Sequence, residues 1–281
     1  MEKETILRLS ALAHPQRLSI FRLLMRRYPD QLAAGEIAVT LALKPSTLSA
    51  YLSALTQAGL VTQARSGTSL HYGIDMPGAR QMVDFLVKDC CRGRADLCAP
   101  FPLAHQERSM TEGKYNVLFI CTGNSARSIF AEAALRATAG DRFNVYSAGT
   151  RPQSELNPFA LEILRAKGHD ITPLRAKNLS EFQGPEAPRL DFVFTVCDRA
   201  ANEECPPWEG LPVTGHWGVP DPVKAEGTDA QKALAFQQAY GALANRIRAF
   251  AALSLETLDK IAQQKAVDDI GRAEDEAEAK A

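Results

Sequence analysis

The stretch YNVLFICTGNSARSIFAEAAL, residues 115 to 135, constrains the fold more than any other part of the chain. An apolar run from Val117 to Ile120 leads into Cys121. Five residues follow, then Arg127, Ser128 and an amphipathic helical pattern. A strand, a short loop and a helix start in that order bring the backbone N–H groups of Thr122, Gly123, Asn124, Ser125 and Ala126 toward one point, which suits a tetrahedral oxyanion. Arg127 adds a bidentate clamp on two oxygens of that anion. The same positive field is expected to depress the Cys121 thiol pKa and make it a nucleophile, with Ser128 donating a hydrogen bond to the sulfur. The plainer alternative is a buried cysteine closing a core strand before a chance arginine. Loop length and the strand-loop-helix context argue against it.

At 281 residues the chain has room for about two domains. The best linker candidate runs from Arg92 to Asn116, with two prolines, two glycines and no sustained period. After it, apolar runs alternate with amphipathic stretches, the pattern of a parallel sheet with crossover helices. One later run, DFVFTV, leads into Cys197, and the chain continues as CDRAANEEC to Cys205. Parallel strands end on one edge of their sheet, so Cys121 and Cys197 are expected side by side. Two small buried hydrophobes would be the bland explanation.

No charge-flanked apolar segment at the start reads as a signal peptide, and no apolar run reaches the length of about 20 residues that a membrane span needs. A cytoplasmic protein with no membrane association is expected. In a reducing compartment, six cysteines point to catalysis or metal binding before structural disulfides. Three of them, Cys90, Cys91 and Cys98, fall in the polar stretch KDCCRGRADLC. Alone, that stretch reads equally as a redox device, a zinc site, a trap for a softer ion or a coincidence.

Before the linker the patterns are helical. ALAHPQRLSIFRLLMRR has Pro15 where a first helical turn accepts it, then Leu18, Phe21, Leu24 and Met25 as an apolar face. AAGEIAVTLAL reads as a shorter helix. After a turn at Lys44 and Pro45, STLSAYLSALTQAGLV carries the stripe Leu48, Leu52 and Leu55 and stops at Gly59. Two helices joined by a turn, the second with small polar residues outward, match a helix-turn-helix. Two short strand-like runs around Ser66 and Gly67 predict a hairpin wing.

Over residues 2 to 90 this order of motifs resembles the ArsR/SmtB family of winged helix-turn-helix repressors. The resemblance implies a mostly α-helical winged domain that binds a palindromic operator as a homodimer and leaves DNA when an ion or metalloid binds. It implies that Ser46, Thr47, Ser49, Ala50 and Tyr51 face the major groove, and that Arg65 and Thr68 touch backbone or minor groove from the wing. Strong salt dependence of that binding follows. A winged helix used only for dimerisation or protein contact is the alternative.

From about residue 115 to 255 the chain resembles the low-molecular-weight phosphotyrosine phosphatase fold, and within it the arsenate reductases. CTGNSARS, YSAGT, NPFALEILRAKGHDI and HWGVPDP carry that match. It implies an α/β domain with a parallel four-stranded sheet flanked by helices, Asp221 as general acid, and Asn124 as the residue holding the loop in its strained shape. Ile129 stands where the tyrosine phosphatases have proline, and Val223 and Lys224 replace their aromatics after the Asp-Pro. Both differences favour the reductase. The resemblance then implies a relay in which Cys197 attacks the Cys121 adduct and Cys205 attacks Cys197. The Cys197–Cys205 spacing is about one residue longer than in the best-known thioredoxin-coupled reductases, so thioredoxin is the first choice of reductant and glutathione with glutaredoxin the second. No tightly bound cofactor is implied, but some members hold a monovalent cation at positions matching Asn124, Ser128 and Glu132, with Glu181 as a fourth.

Some ArsR-like proteins carry a Cys-Cys pair and a third cysteine at the end of the domain, as Cys90, Cys91 and Cys98 do here. Three thiolates without a nearby histidine suit a trivalent pyramidal ion such as arsenite better than four-coordinate zinc. The expected division is a DNA-binding and metalloid-sensing domain at 1–98, a linker at 99–114, a reductase or phosphatase-like domain at 115–255 and a charged, mobile tail at 256–281. The expected function is an arsenic-responsive repressor fused to an arsenate reductase. A phosphotyrosine phosphatase fused to a repressor, or a non-catalytic oxyanion-sensing repressor, are the alternatives.

Overall fold

A computed structural model describes residues 2–67, 69–92, 113–184, 186–203, 208 and 210–272. The chain divides into two compact units, Met1–Glu107 and Arg108–Ala281, each with its own apolar core.

The first unit opens with α1 (Glu2–Leu12), and α2 (Pro15–Arg27) follows after a break at His14. Pro15 sits in the first turn of α2, where a missing N–H costs nothing. The buried face of α2 is Ile20, Leu23, Leu24 and Arg27, whereas Leu18 and Met25 are 41% and 37% exposed. The expected and observed stripes both keep helical spacing, and only the packing partners select between them. Arg27 is buried and bonds Glu36 at 2.7 Å, which ties α2 to α3 (Ala34–Thr40). A short turn leads to α4 (Pro45–Gln57), which buries Leu48, Leu52 and Leu55 as the sequence pattern requires. The chain leaves α4 through Gly59 at φ 65°, a left-handed conformation that glycine adopts without strain.

The expected wing is present. Strands β2 (Val61–Ser66) and β3 (Ser69–Ile74) pair antiparallel with Ser66 opposite Ser69, and the two-residue β1 (Leu32–Ala33) pairs with the other side of β3. Asp75 then caps α5 (Met76–Phe85), accepting from the Gly78 N–H at 2.9 Å, and α5 runs on into a π-helical turn, Leu86–Cys90.

The second unit alternates strands and helices: β4 (Tyr115–Cys121), α6 (Arg127–Ala139), β5 (Phe143–Gly149), α7 (Pro158–Ala166), β6 (Phe192–Thr195), α8 (Asp198–Asn202), β7 (Val213–His216) and α9 (Asp229–Ala251). All four strands are parallel, in the order β5-β4-β6-β7. Val117 to Cys121 are buried without alternation because helices cover both faces of such a sheet. Trp217, just past β7, stacks on Phe194 with centroids 3.9 Å apart, and Phe250 of α9 closes on both rings. Ile120 pairs with Thr195, so Cys121 and Cys197 leave the sheet along one edge.

The expected mobile tail does not hold for residues 256–272, and the rest of it lies outside the described residues. Lys260–Arg272 form α10, which covers the open edge of β7. Gln264 accepts from the Thr214 N–H at 3.3 Å and donates to the Thr214 carbonyl at 2.7 Å, and Val267 is fully buried. Gly215 makes room for it, since a Cβ there would lie 2.6 Å from Val267 Cγ1. Charge dominates the composition of this segment and masks the narrow apolar face that packs. Among the described residues, no helix is long and apolar enough to cross a membrane.

Candidate active site

Cys121 ends β4 and Arg127 begins α6, so the loop between them wraps a single point above the sheet edge. Its curvature depends on Asn124, which is fully buried with φ at 44°. Three side-chain bonds hold that left-handed residue. Its Nδ2 donates to Ser128 Oγ and Ser147 Oγ, both at 2.8 Å, and its Oδ1 accepts from the Lys177 N–H at 2.6 Å. Its own N–H points at Cys121 Sγ, 3.2 Å away. Gly149 allows β5 to end against this loop, because a Cβ there would lie 2.7 Å from the Thr122 carbonyl oxygen.

Ser128 Oγ lies 2.9 Å from Cys121 Sγ, as its place in the sequence suggests. The thiol pKa differs from expectation. Complete burial pushes Cys121 up, the neighbouring Cys197 pushes the same way, and the Ser128 hydrogen bonds and Arg127 charge pull down without winning. Sequence reasoning counted the donors and omitted desolvation. Alkylation of Cys121 by iodoacetamide, followed by peptide mass mapping, is expected to keep accelerating with pH past the ordinary thiol range, because the thiolate fraction still grows there. A plateau near neutral pH would show a depressed pKa instead.

Arg127 reaches across to the loop after β7. Its Nη2 lies 2.8 Å from Asp221 Oδ2 and its Nη1 donates to the Val219 carbonyl at 3.4 Å. The anion clamp and the expected general acid therefore share one site. Asp221 also caps the turn that follows it, accepting from the Val223 N–H at 3.3 Å. Cys197 is buried at the N-cap of α8, its sulfur accepting from the Ala200 N–H at 3.4 Å. Thr122 Oγ1 lies 3.5 Å from the same sulfur, so Cys197 touches the cradle directly. Cys205 lies outside the described residues.

The expected cation site is already neutralised. Glu132, 2% exposed, bonds Arg136 and Ser147 Oγ, and accepts from Lys177 Nζ at 3.0 Å. An ammonium thus stands against the carboxylate that was to hold a metal cation. Asn124 and Ser128 spend their polar atoms on each other, and Glu181 pairs with Arg175, which holds its carboxyl below the usual range. Lys177 left no signal in the sequence, since a lysine in a loop carries no motif.

In the first unit, Ser46, Ser49, Ala50 and Arg65 are exposed and Thr47 is half-buried. Tyr51 turns inward, its ring 4.7 Å from that of His14 and its hydroxyl 3.4 Å from His14 Nε2. The outward face of α4 continues instead through Ser53 and Gln57. Thr68 and Cys98 lie outside the described residues, while Cys90 is exposed and Cys91 half-buried at the end of the π-helical turn.

Residues 116–264 match the model of the low molecular weight phosphotyrosine protein phosphatases. The chain belongs to that family. A second model, a helix-turn-helix domain, matches residues 12–64, so a helix-turn-helix unit precedes the phosphatase-family unit in one chain. Among curated relatives, an arsenate reductase of Bacillus licheniformis is 39% identical over 139 residues, which is 49% of this chain and 96% of that protein. An arsenate reductase of Bacillus subtilis is 36% identical over 135 residues, 48% of this chain and 94% of its own. Among solved structures, the thioredoxin-dependent arsenate reductase of Corynebacterium glutamicum is 25% identical, with a TM-score of 0.37 over 76% of this chain and 90% of that one.

Proposed function

We propose that the chain is an arsenic-responsive repressor carrying its own arsenate reductase. The observation that carries the enzymatic half is the second buried thiol. A phosphatase needs one cysteine, an oxyanion cradle and an acid; Cys197 against Thr122 at the cradle wall is surplus to that chemistry. The arsenate reductases of Bacillus licheniformis and Bacillus subtilis named above support the substrate.

The chemistry follows from the placement of groups. Arsenate binds in the loop from Thr122 to Arg127, and the Cys121 thiolate attacks arsenic while Asp221 protonates the departing oxygen. The 2.8 Å pairing of Asp221 with Arg127 places both groups at one site beside the reacting oxygens. Cys197 then attacks Cys121 Sγ. A sulfur–sulfur bond forms, the sulfur–arsenic bond breaks, and its electron pair stays on arsenic, which leaves as arsenite. Two thiols have been oxidised and arsenic reduced by two electrons. Cys205 attacks Cys197, frees Cys121 and presents a disulfide to an external dithiol, with thioredoxin preferred to glutaredoxin and glutathione. The raised Cys121 pKa favours turnover as pH rises, because the thiolate fraction grows.

In the repressor half, α4 and the wing would read a palindromic operator as a homodimer, using Ser46, Thr47, Ser49, Ala50, Arg65 and Thr68. Ile6, Leu7 and Leu9 of α1 are exposed and apolar and suit a dimer contact. Arsenite made by the second unit would bind Cys90, Cys91 and Cys98 and release DNA, in a protein placed in the cytoplasm. The working division is a sensing domain at 1–98, a linker at 99–114 and a reductase domain from 115.

The decisive enzyme experiment is Cys197→Ser. Arsenite production with thioredoxin and its reductase is expected to fall below detection while hydrolysis of an aryl phosphate persists. Arsenate reduction at the wild-type rate would remove the relay, and hydrolysis of phosphotyrosine peptides with no arsenite from the wild-type protein would favour a phosphatase.

A further inference from the structure

Beyond the cradle, one buried titratable group has no part in the chemistry above. His216, 2% exposed, ends β7, and its two ring nitrogens meet two different elements. Nδ1 lies 2.8 Å from Thr195 Oγ1 at the end of β6, and Nε2 lies 3.3 Å from Asp198 Oδ1 in the first turn of α8. The tautomer with its proton on Nε2 satisfies both contacts, donating to Asp198 and accepting from the threonine hydroxyl. Asp198 directly follows Cys197, whose sulfur caps the same helix.

The surroundings keep this contact clear and fixed. At Gly218 a Cβ would lie 2.7 Å from His216 Nε2 and 2.8 Å from Asp198 Oδ1, so any side chain there would intrude on the bond. The neighbouring backbone is tied down by Trp217 N–H on the Thr195 carbonyl at 2.8 Å and by Arg246 on the Gly218 carbonyl at 3.0 Å. A five-residue helix such as α8 has almost no stability of its own. Its start, and with it Cys197, must be held from outside.

We propose that His216, acting through Asp198, is a positioning residue for the second thiol, holding Cys197 at the cradle wall for its attack on Cys121 Sγ. The proposal rests on the reductase reading. It assigns His216 to the sulfur–sulfur step and leaves the oxyanion step to Cys121, Arg127 and Asp221.

The test uses the full chain with Asp198→Ala and Asp198→Asn. The Asp198 side chain is 59% exposed, so neither change opens the core. Asparagine keeps an oxygen that accepts from His216; alanine does not. Single-turnover arsenite release, without external reductant, is expected to slow about tenfold in Asp198→Ala, in line with the cost of a small misplacement of a reacting group, and to recover most of that loss in Asp198→Asn. Hydrolysis of an aryl phosphate, measured on the same samples, should change less than about twofold, which a merely structural role would not allow. Wild-type arsenite release in Asp198→Ala, an equal fall in both activities, or an asparagine variant as slow as alanine would each overturn the proposal alone. A wild-type chain that releases no arsenite would overturn the reductase reading and this proposal with it.

Discussion

Replacing Lys177 with methionine is expected to destabilise the second unit by about 3 kcal/mol, because it removes one partner of a buried ion pair. Glu132 and Lys177 have side chains only 3% and 8% exposed, and the ammonium also donates to the Arg175 carbonyl at 2.9 Å. Methionine fills the volume but leaves Glu132 with Arg136 and Ser147 as partners. Both tryptophans, Trp208 and Trp217, lie in this unit, so their fluorescence follows its melting separately from the first. The transition should fall by roughly 6–12 °C. Potassium chloride, compared with a bulky organic cation at equal ionic strength, should restore part of the loss in Lys177→Met and do nothing for the wild type. A wild-type protein stabilised by potassium would mean that a cation site exists beside the ammonium, and an unshifted transition would mean that the Glu132–Lys177 pair contributes nothing net.

Serine at Cys90, Cys91 and Cys98 together is expected to leave operator binding within about twofold of wild type yet abolish its response to arsenite, which in the wild type should weaken binding by about 10- to 100-fold. The physical route from these cysteines to α4 is short. Cys90 and Cys91 end the π-helical turn that continues α5, and the Cys91 N–H still bonds the Leu86 carbonyl at 2.8 Å. Near its start, α5 rests on the turn that ends α4: a Cβ at Gly78 would lie 1.8 Å from the Gly59 carbonyl oxygen. Arg8, itself buried, bonds the Ala58 carbonyl and Gln81 of α5, both at 3.2 Å. Drawing three thiols around one pyramidal ion would strain α5 and reach α4 through these contacts. Fluorescence anisotropy of labelled operator, titrated with arsenite, reads the outcome. A full arsenite response in the triple variant would remove these cysteines as the receptor, and release by arsenate alone would favour an oxyanion sensor in the second unit.

Local chemistry is what the residues alone could reveal. Cys121, five loop residues, Arg127 and Ser128 adjoin in the chain, so the cradle, its clamp and the sulfur's hydroxyl partner were all readable. The Leu48, Leu52 and Leu55 stripe, the stop at Gly59 and the hairpin at Ser66 are short-range features as well, set by helical period and turn sterics. In α2 the sequence reading chose the face of Leu18, Phe21, Leu24 and Met25, and packing buried Ile20, Leu23, Leu24 and Arg27 instead, because helical period alone does not separate two such faces. The charged segment after residue 256 hid one apolar face, and only the exposed edge of β7 gave that face something to cover.

What remained invisible joins residues distant in sequence. Lys177 meets Glu132 across 45 positions, and Tyr51 turns to His14 across 37. The Cys121 thiol shows the division most directly. Its donors could be counted from the chain, but its desolvation depends on how completely the sheet, α6 and the loop enclose it, and that enclosure exists only once the fold has formed.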